Sequence, residues 1–217
     1  MPAILYEDDN LVAVDKPGGL AAIPERQADK DCLLQQMSLI YSYKLFVVHR
    51  LDKEASGVIL FAKNPATHRY LNELFNHHQI TKNYQALVHG NLIRNAGEIN
   101  TPIRQYGSGR MAVDREHGKK CLTMYHVQRR YGHCTLVTVS PITGRRHQIR
   151  VHFYSIGHPI VGDIMYGDKK IQRTFPRLML HACKIEFKLE SGMIIEIESP
   201  VPKLFSDVLA MMKIGNS

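Results

Sequence analysis

The sequence lacks several patterns that would assign a protein to a class at once. Its four cysteines lie far apart and form no Cys-x-x-Cys pair, so neither a zinc site nor a thioredoxin-like motif is indicated. We expect free cytosolic thiols at Cys32, Cys121, Cys134 and Cys183. No internal repeat or low-complexity tract is present either, which argues against a repeat architecture.

Long hydrophobic runs are also missing. The longest apolar stretches, such as 58–62, are far too short to span a bilayer. The N-terminus has no basic segment followed by a long apolar run, so no secretory signal is indicated. We therefore predict a cytoplasmic protein with no membrane partner.

A metal centre is not indicated, although the sequence contains 12 histidines. Neither His77 with His78 nor His147 with His152 places two imidazoles on one helical face in the His-Glu-x-x-His manner. No acidic cluster accompanies them. We predict no metal site, and we expect these histidines to be hydrogen-bonded in the core or exposed on the surface.

What the sequence does contain is the composition of a folded protein with an excess of positive charge. Hydrophobic residues make up 44% and charged residues 22%, which is typical of a globular chain rather than a disordered one. Lysine and arginine number 28 against 20 acidic residues, and the formal net charge is +8. This excess favours a polyanionic partner, provided that the cations are grouped on the surface.

Apolar runs and turn residues predict an α+β protein that forms a single domain, 1–217, with a mostly antiparallel central sheet flanked by helices and loops. Strands are predicted at 4–6, 11–14, 57–62, 84–88, 121–129, 133–140, 183–189 and 193–198. Helices are predicted at 31–42, from Asn64-Pro65 to about 78, at 146–156 and at 203–212.

One long segment has few apolar residues. Residues 91–120 are rich in glycine, asparagine, arginine and lysine, which predicts a long hairpin or a mobile basic loop, with its basic part at about 100–120. Such a segment is suited to contact a nucleic-acid backbone. Its cations include Arg104, Arg110, Arg115, Lys119 and Lys120.

A first candidate site lies at 49–57, where polar and charged residues come directly before a predicted buried strand. A rigid strand can hold a loop side chain such as Asp52 in a fixed position, which is a common arrangement at active sites. From spacing alone, a solvated connection with a local ion pair is the simpler interpretation.

A second candidate site lies at 141–150. Arg145 and Arg146 fall at the start of a predicted helix, where the dipole already favours negative charge, so a bound phosphate would explain the cations. Arg146, Arg150 and Tyr154 follow at steps of four, which predicts a basic stripe for a phosphate backbone or a carboxylate partner. A solvated basic helix face is the alternative.

These segments, with others in the same order along the chain, resemble the RluA-type family of RNA pseudouridine synthases. The resemblance covers nearly the whole chain, and the ordered set of motifs is specific where each motif alone is weak. The motifs are Lys16-Pro17-Gly18 and Pro24; His49-Arg50-Leu51-Asp52 with Ser56-Gly57 and Ala62-Lys63; Lys82-Asn83-Tyr84; Gly118-Lys119 with Thr123 and Tyr125; Pro141 through Arg150; Gly157-His158-Pro159 with Gly162-Asp163; and Leu180-His181-Ala182.

The resemblance implies an isomerase that converts a specific uridine to pseudouridine in tRNA or rRNA without a metal or an organic cofactor. It makes Asp52 the catalytic carboxylate, Tyr84 the ring that stacks on the target base, and Arg150 the ion-pair partner of Asp52. Arg50 would enter the RNA stack beside the extruded nucleotide, and Leu180 would pack near Tyr84. Further substrate contacts are expected from His49, Arg145, Arg146 and Lys119.

The implied reaction breaks the N1–C1′ bond of uridine, turns the uracil and rejoins it through C5, so water must be kept out. Ordinary glycosidases use two carboxylates, but here the delocalised uracil anion never leaves, and one is sufficient. That carboxylate either attacks C1′ or removes a proton at C2′. The sequence departs from the family pattern at Ala55, where relatives usually carry threonine.

Two other functions are weighed against this one. A non-catalytic RNA-binding protein or RNA chaperone on the same fold would not need Asp52 and Tyr84, and both are present. A metal-dependent nuclease would need clustered ligands, which the sequence does not show. Because the first motif begins at Lys16, we expect a compact form without an N-terminal RNA-binding domain, and a monomer.

Overall fold

The structure is a computed structural model that describes residues 2–24, 31–107 and 109–214. Its strands are β1 (Ala3–Glu7), β2 (Leu11–Lys16), β3 (Phe46–Val47), β4 (Ser56–Ala62), β5 (Thr81–His89), β6 (Ala96–Ile99), β7 (Ile103–Gln105), β8 (Met111–Val113), β9 (Thr123–Tyr131), β10 (Cys134–Pro141), β11 (Leu180–Lys188) and β12 (Ile194–Glu198). Its helices are α1 (Leu33–Ser38), α2 (Pro65–Asn76), α3 (Gln148–Ser155), α4 (Lys169–Gln172) and α5 (Lys203–Ile214).

The chain divides into two compact units. Unit 1 comprises Met1–Lys82 and Ala182–Pro200, and unit 2 comprises Asn83–His181 and Val201–Ser217. Every strand pair with a described register is antiparallel. The predicted α+β class with a mostly antiparallel sheet and flanking helices is therefore confirmed.

Unit 1 is built around β4, which is buried along its whole length. Its continuous apolar run presents side chains to both faces of the sheet, as expected for a strand that is covered on both sides. Val58 and Leu60 belong to one hydrophobic cluster, and Ile59 and Phe61 belong to another. β4 pairs with β2 and β3, and β11 pairs with β12.

Gly57 marks a close approach of two backbones in unit 1. Its φ is +116°, and a Cβ atom at this position would lie 2.1 Å from the carbonyl oxygen of Ala182 in β11. Only glycine avoids both the steric clash and the strained backbone. The Ser56-Gly57 motif therefore has a structural reason at the start of β4.

Unit 2 contains the strand order β5-β10-β9-β6 and a separate hairpin of β7 and β8. The hairpin lies within the segment 91–120, for which a long hairpin or a mobile basic loop was predicted; Ser108 lies outside the described residues. Its buried residues Ile103 and Met111 form a small cluster with Val151 of α3 and Tyr166. This cluster fixes the hairpin against the helix.

Some helices are shorter than predicted, because they end where the side chains are no longer buried. α1 covers only 33–38, because Leu33 and Met37 are buried while Leu39 is 89% exposed and gives no further apolar face. α2 begins as predicted, since the Asn64 side chain accepts a hydrogen bond from the Thr67 N–H at 2.9 Å. The short helix α4 has no counterpart among the predicted helices.

Candidate active site

The loop that carries Asp52 lies between β3 and β4 in unit 1. A turn is closed by the Ala55 N–H, which donates to the Asp52 carbonyl oxygen at 3.1 Å. The Asp52 residue is half-buried, whereas Ala55 is only 2% exposed. The Ala55 methyl group is therefore packed inside the protein, and this position makes no hydroxyl contact.

A buried lysine fixes this loop. Lys16, at the end of β2, is completely buried, and its Nζ donates at 2.9, 2.7 and 3.0 Å to the carbonyl oxygens of Pro17, Leu20 and Lys53. Since Lys53 follows Asp52 directly, the last of these bonds restrains the backbone that carries the carboxylate. Sequence analysis gave Lys16 no role; its signal is a lysine at the end of an apolar strand.

His49 is bonded to the strand that follows the loop. Its Nε2 accepts the Leu60 N–H at 3.0 Å, and its ring stacks on Phe75 with 4.9 Å between ring centroids. Burial, with a smaller contribution from the charge of Lys82, lowers the pKa of His49 to about 3. The imidazole is therefore neutral near pH 7, and its Nε2 anchors the loop to β4.

Arg50 differs from its neighbour His49 because it is exposed. Within the described part of the chain, no carboxylate lies within ion-pair distance of its guanidinium. Unit 1 thus brings together an exposed cation, a half-buried carboxylate and a neutral histidine in four consecutive residues, 49–52.

In unit 2, Arg150 is held by a carboxylate that sequence analysis had placed in a motif without a role. Arg150 Nε donates to Asp163 Oδ2 at 2.7 Å, and Nη2 donates to Oδ1 at 2.9 Å. The two side chains are 2% and 0% exposed. Asp163 Oδ1 also accepts the N–H groups of Met165 and Tyr166 at 3.0 and 3.2 Å. The result is a bidentate buried ion pair of fixed geometry.

This pair corrects the predicted basic stripe along α3. Arg150 does not line an exposed face with Arg146 and Tyr154, because it is buried against Asp163. Of the two partners that the spacing allowed, a phosphate backbone or a carboxylate, the structure provides the carboxylate. The missed signal was Gly162-Asp163, whose aspartate follows a glycine with φ +78°.

The start of α3 also differs from the prediction. The helix begins at Gln148, so Arg145 and Arg146 lie in the preceding loop and not in the first turn, and the argument from the helix dipole does not apply to them. Gln148 organises this loop: its Oε1 accepts the Thr143 hydroxyl at 2.7 Å and the Arg145 N–H at 3.0 Å. Both arginines are exposed.

His147 precedes the helix in a strained conformation. Its φ is +52°, which is uncommon for a residue with a side chain. The ring is buried, and its Nδ1 lies 2.8 Å from the hydroxyl of Tyr166. A hydrogen bond in the core therefore holds the turn that directs Arg145 and Arg146 toward solvent.

Tyr84 and Leu180 lie on neighbouring parts of unit 2. Tyr84 is half-buried in β5, where its backbone faces Val139 of β10. Asn83, the residue before it, accepts a hydrogen bond from the Ser140 hydroxyl at 2.7 Å. Leu180 is 3% exposed at the start of β11. Both positions are rigid, which suits a residue that must present a ring to a base.

Lys119 is exposed beyond the β7–β8 hairpin, and its backbone exchanges two hydrogen bonds with Ile103, at 2.9 and 3.1 Å. The basic segment also contains a carboxylate, Asp114, that lies 3.5 Å from Arg104. Hydrogen bonds, first from the His117 N–H, hold the pKa of Asp114 below its usual range. The hairpin thus combines exposed cations with an internally satisfied acid.

Candidate metal ligands are not clustered in the described residues: no group of three or more histidine, cysteine or acidic side chains is found there. The four cysteines are free. His152, one of the histidines expected in the core, has its Nδ1 2.8 Å from the Thr123 hydroxyl and its Nε2 3.1 Å from Cys121 Sγ. Across the same described residues, no helix is long and apolar enough to cross a membrane.

The fold matches that of known pseudouridylate synthases. Over 97% of this chain and 93% of the other, the structure superposes with a TM-score of 0.80 on human RNA pseudouridylate synthase domain containing 4, at 26% sequence identity. The class that this likeness indicates is an RNA-modifying isomerase.

The sequence comparisons agree. The RNA pseudouridylate synthase family model matches residues 10–155, more than half of the chain. The chain is 38% identical over 189 residues to the dual-specificity RNA pseudouridine synthase RluA of Pasteurella multocida, covering 85% of this chain and 86% of that one. It is 37% identical over 213 residues to ribosomal large subunit pseudouridine synthase C of Rickettsia felis, covering 94% and 69%. The chain belongs to the RNA pseudouridylate synthase family, whose members are isomerases that convert uridine to pseudouridine.

Proposed function

We propose that this protein isomerises a specific uridine in tRNA or rRNA, with Asp52 as the catalytic carboxylate. The observation that carries the proposal is the support of the Asp52 loop, which Lys16 bonds from one side through Lys53 and His49 joins to β4 through Leu60. A carboxylate that merely solvates a surface loop needs no such support. Positioning of this kind is expected where a reacting group must be held within a fraction of an ångström.

The reaction requires one carboxylate. The N1–C1′ bond breaks, the uracil turns while it stays bound, C5 joins C1′, and the proton from C5 is lost as N1 gains one. Asp52 begins this sequence either by attacking C1′ or by removing a proton at C2′. Deuterium at C2′ separates the routes, because proton removal there gives a primary isotope effect on a single turnover and attack at C1′ does not.

Arg150 is proposed to form an ion pair with Asp52, as the resemblance implies, and so to orient the carboxylate. Its tie to Asp163 supports this role in one respect: a bidentate pair fixes the plane of the guanidinium. Asp163 is then a positioning residue, because it acts through Arg150.

Access to the uridine is proposed to occur by base flipping. Unstacking a base costs roughly a few kcal/mol, which aromatic stacking on the extruded base offsets by about 1–3 kcal/mol. Tyr84 would supply the stacking ring, with Leu180 packed near it. Arg50, which is exposed on the Asp52 loop, would fill the space that the base leaves.

The choice of RNA is proposed from the relatives. One carries a name that refers to the large ribosomal subunit, and another is named as dual-specificity. Arg145, Arg146 and Lys119 are exposed cations that suit a phosphate backbone, in agreement with the net charge of +8.

The test is pseudouridine formation in a tRNA pool and in rRNA transcripts, mapped at nucleotide resolution with EDTA present throughout. The wild type is compared with Asp52→Asn, which keeps the shape of the side chain, and with Glu73→Gln, which removes an exposed carboxylate from α2. We expect modification of defined uridines by the wild type and Glu73→Gln, and a loss on the order of 10⁴-fold for Asp52→Asn.

Three outcomes would reject parts of this proposal. Equal RNA binding by all three proteins without any new pseudouridine would favour the non-catalytic RNA-binding function. Activity in Asp52→Asn within tenfold of the wild type, on the order of a single hydrogen bond's contribution, would remove Asp52 from the chemistry. Loss of wild-type activity with EDTA would contradict a metal-independent reaction.

A further inference from the structure

A positively charged pocket in unit 2 combines Arg146 with residues that have no part in the site described above. Its volume is about 440 Å³, within the range of roughly 300–1,000 Å³ that is usual for ligand sites. Four cations and two apolar side chains line it, and we call it the cationic pocket: Arg110, Arg146, Lys169, Arg173, Ile164 and Met165.

The cations of this pocket come from three separate segments. Arg110 lies at the end of the turn between β7 and β8, Arg146 lies in the loop before α3, and Lys169 and Arg173 lie on and directly after α4. Lys169 and Arg173 are four positions apart, and like charges at this spacing repel each other and destabilise an isolated helix. Tertiary structure therefore gathers cations that local structure would keep apart.

The side of the pocket formed by the hairpin is held rigidly by Tyr166. This residue is 1% exposed, and its hydroxyl accepts the Met111 N–H at 3.1 Å. The Arg110 guanidinium lies over the Tyr166 ring at 5.2 Å and over the Tyr154 ring at 5.9 Å from the centroid. Arg110 is thus oriented before any ligand arrives.

Among the described residues, none that lines the pocket is acidic. In the ranges that the structure describes, Arg146, Lys169 and Arg173 also have no carboxylate within 4 Å. Asp168, the nearest acid in sequence, uses its Oδ1 to accept the N–H groups of Lys170 and Ile171. The positive charge of Arg146, Lys169 and Arg173 is therefore available to an external anion.

The apolar pair indicates what kind of anion fits. Ile164 is 49% exposed and Met165 is 38% exposed, so hydrophobic surface lies beside the cations. A free inorganic anion would leave this surface in water. A polynucleotide presents phosphates and apolar ribose edges in alternation, and its extended charge suits cations that come from three segments.

We propose that the cationic pocket binds the sugar-phosphate backbone of the RNA substrate outside the target nucleotide, with the cations on phosphates and Ile164 and Met165 on a ribose. This inference rests on the proposed function for the identity of the RNA. The pocket contributes affinity and register and takes no part in the chemistry.

The first experiment compares Lys169→Gln/Arg173→Gln with the control Arg94→Gln/Lys213→Gln, which removes the same charge at exposed positions outside the pocket. RNA retention on filters is measured from low to high salt, and single-turnover pseudouridine formation is measured with the protein in saturating excess over the RNA. We expect the pocket variant to bind on the order of tenfold more weakly at physiological salt and to lose about two units from the slope of log K against log salt. Its single-turnover rate at saturating protein should match that of the control.

Each outcome has a separate meaning. A salt slope and affinity equal to those of the control would overturn the proposal that the cationic pocket binds RNA. This holds whether or not the wild type is active, because binding is measured without turnover. A fall in the saturated rate with unchanged affinity would also overturn it, since it would assign Lys169 and Arg173 to the chemistry. If the wild type modifies no RNA but the expected difference in binding is found, the proposed function is rejected and RNA binding by the cationic pocket is supported.

A second experiment uses the wild-type protein, so it does not depend on the folding of a variant. RNA containing 4-thiouridine is crosslinked to the protein by light, and the attached peptides are identified by mass spectrometry. We expect crosslinks on the segment that contains Ile164 and Met165. Efficient crosslinks elsewhere, with none at 164–173, would overturn the proposal.

Discussion

The two units bury basic side chains in different ways. In unit 1, Lys16 is surrounded by backbone carbonyl oxygens, and His49 is kept neutral and accepts a backbone N–H. In unit 2, Arg150 is paired with a carboxylate, Asp163, through two short hydrogen bonds. Unit 1 thus relies on the main chain, whereas unit 2 relies on a second side chain.

The difference determines how each arrangement can fail. No substitution removes a main-chain carbonyl oxygen. The three hydrogen bonds from Lys16 Nζ to carbonyl oxygens are therefore removed by replacing the lysine itself. The Arg150–Asp163 pair can be broken from either partner, and replacing Asp163 removes a carboxylate that faces a buried guanidinium. Unit 2 should therefore be more sensitive to single substitutions at its buried charges.

The largest effect on stability is expected from Asp163→Asn. It leaves the Arg150 charge buried opposite a neutral amide, which should reduce the free energy of unfolding by about 3–5 kcal/mol. Urea denaturation measures this change. Replacing both partners, Arg150→Met with Asp163→Leu, should restore most of the stability without restoring activity, because the buried charge is then gone. A single variant as stable as the wild type would show that the pair contributes nothing to folding.

A smaller loss is expected from Lys16→Met, which keeps the side-chain length and removes the donors to the three carbonyl oxygens. Buried acceptors that lose a donor cost about 1–3 kcal/mol each, partly recovered by water, so we expect about 2–4 kcal/mol in urea denaturation. Pseudouridine formation should fall at saturating RNA, since the Asp52 loop loses its restraint. Lys53→Met, an exposed lysine in the same loop, is the control and should stay within about 0.5 kcal/mol. If both variants behave alike, Lys16 has no positioning role.

The smallest effect, over the range from pH 7 to pH 5, is a pH dependence of stability from His49. Its folded-state pKa of about 3 lies below the ordinary value of 6.5, so between these values the unfolded chain binds a proton that the folded chain does not. Its contribution to stability is therefore complete above about pH 6.5 and is lost as the pH falls toward 3, by at most about 1.4 kcal/mol per pH unit.

Urea denaturation of the wild type and His49→Gln at pH 7, 6 and 5 isolates this contribution. The glutamine oxygen can still accept the Leu60 N–H but does not titrate. We expect the wild type to lose stability faster than the variant as the pH falls, while burial of His152, which also lowers its pKa, leaves some slope in both. Parallel pH profiles would show that His49 is not held neutral by the fold.

Much of the fold was predictable because local patterns of apolar and polar residues indicate which segments are buried. The continuous apolar run at 57–62 predicted β4, and Asn64-Pro65 predicted the start of α2 through a cap that the structure contains. The helices at 31–42 and 146–156 were predicted too long. Their ends depend on which residues are covered by the rest of the protein, as the exposed Leu39 shows, and on the hydrogen bonds of Gln148, whose partners lie in another strand and loop.

The residues of the candidate site also fall into those that the sequence predicted and those that it did not. Motifs in their order were enough to name Asp52, Tyr84 and Arg150 by resemblance, and their roles remain predictions. The partner of Arg150 was not predictable, because Asp163 lies 13 positions away in a turn and no local periodicity links the two. The role of Lys16 was hidden for a similar reason: its acceptors are main-chain oxygens, which carry no sequence signal.

The sequence by itself determined the α+β class, the excess of positive charge, and the ordered motifs that identify the family. These depend on composition, periodicity and residue order, which are properties of the chain. Only the tertiary structure decided which charges are buried, what neutralises them, and that Arg110, Arg146, Lys169 and Arg173 converge on one pocket. The reason is physical: electrostatic interactions depend on distance and on exclusion of water, and both are fixed only when segments remote in sequence pack together.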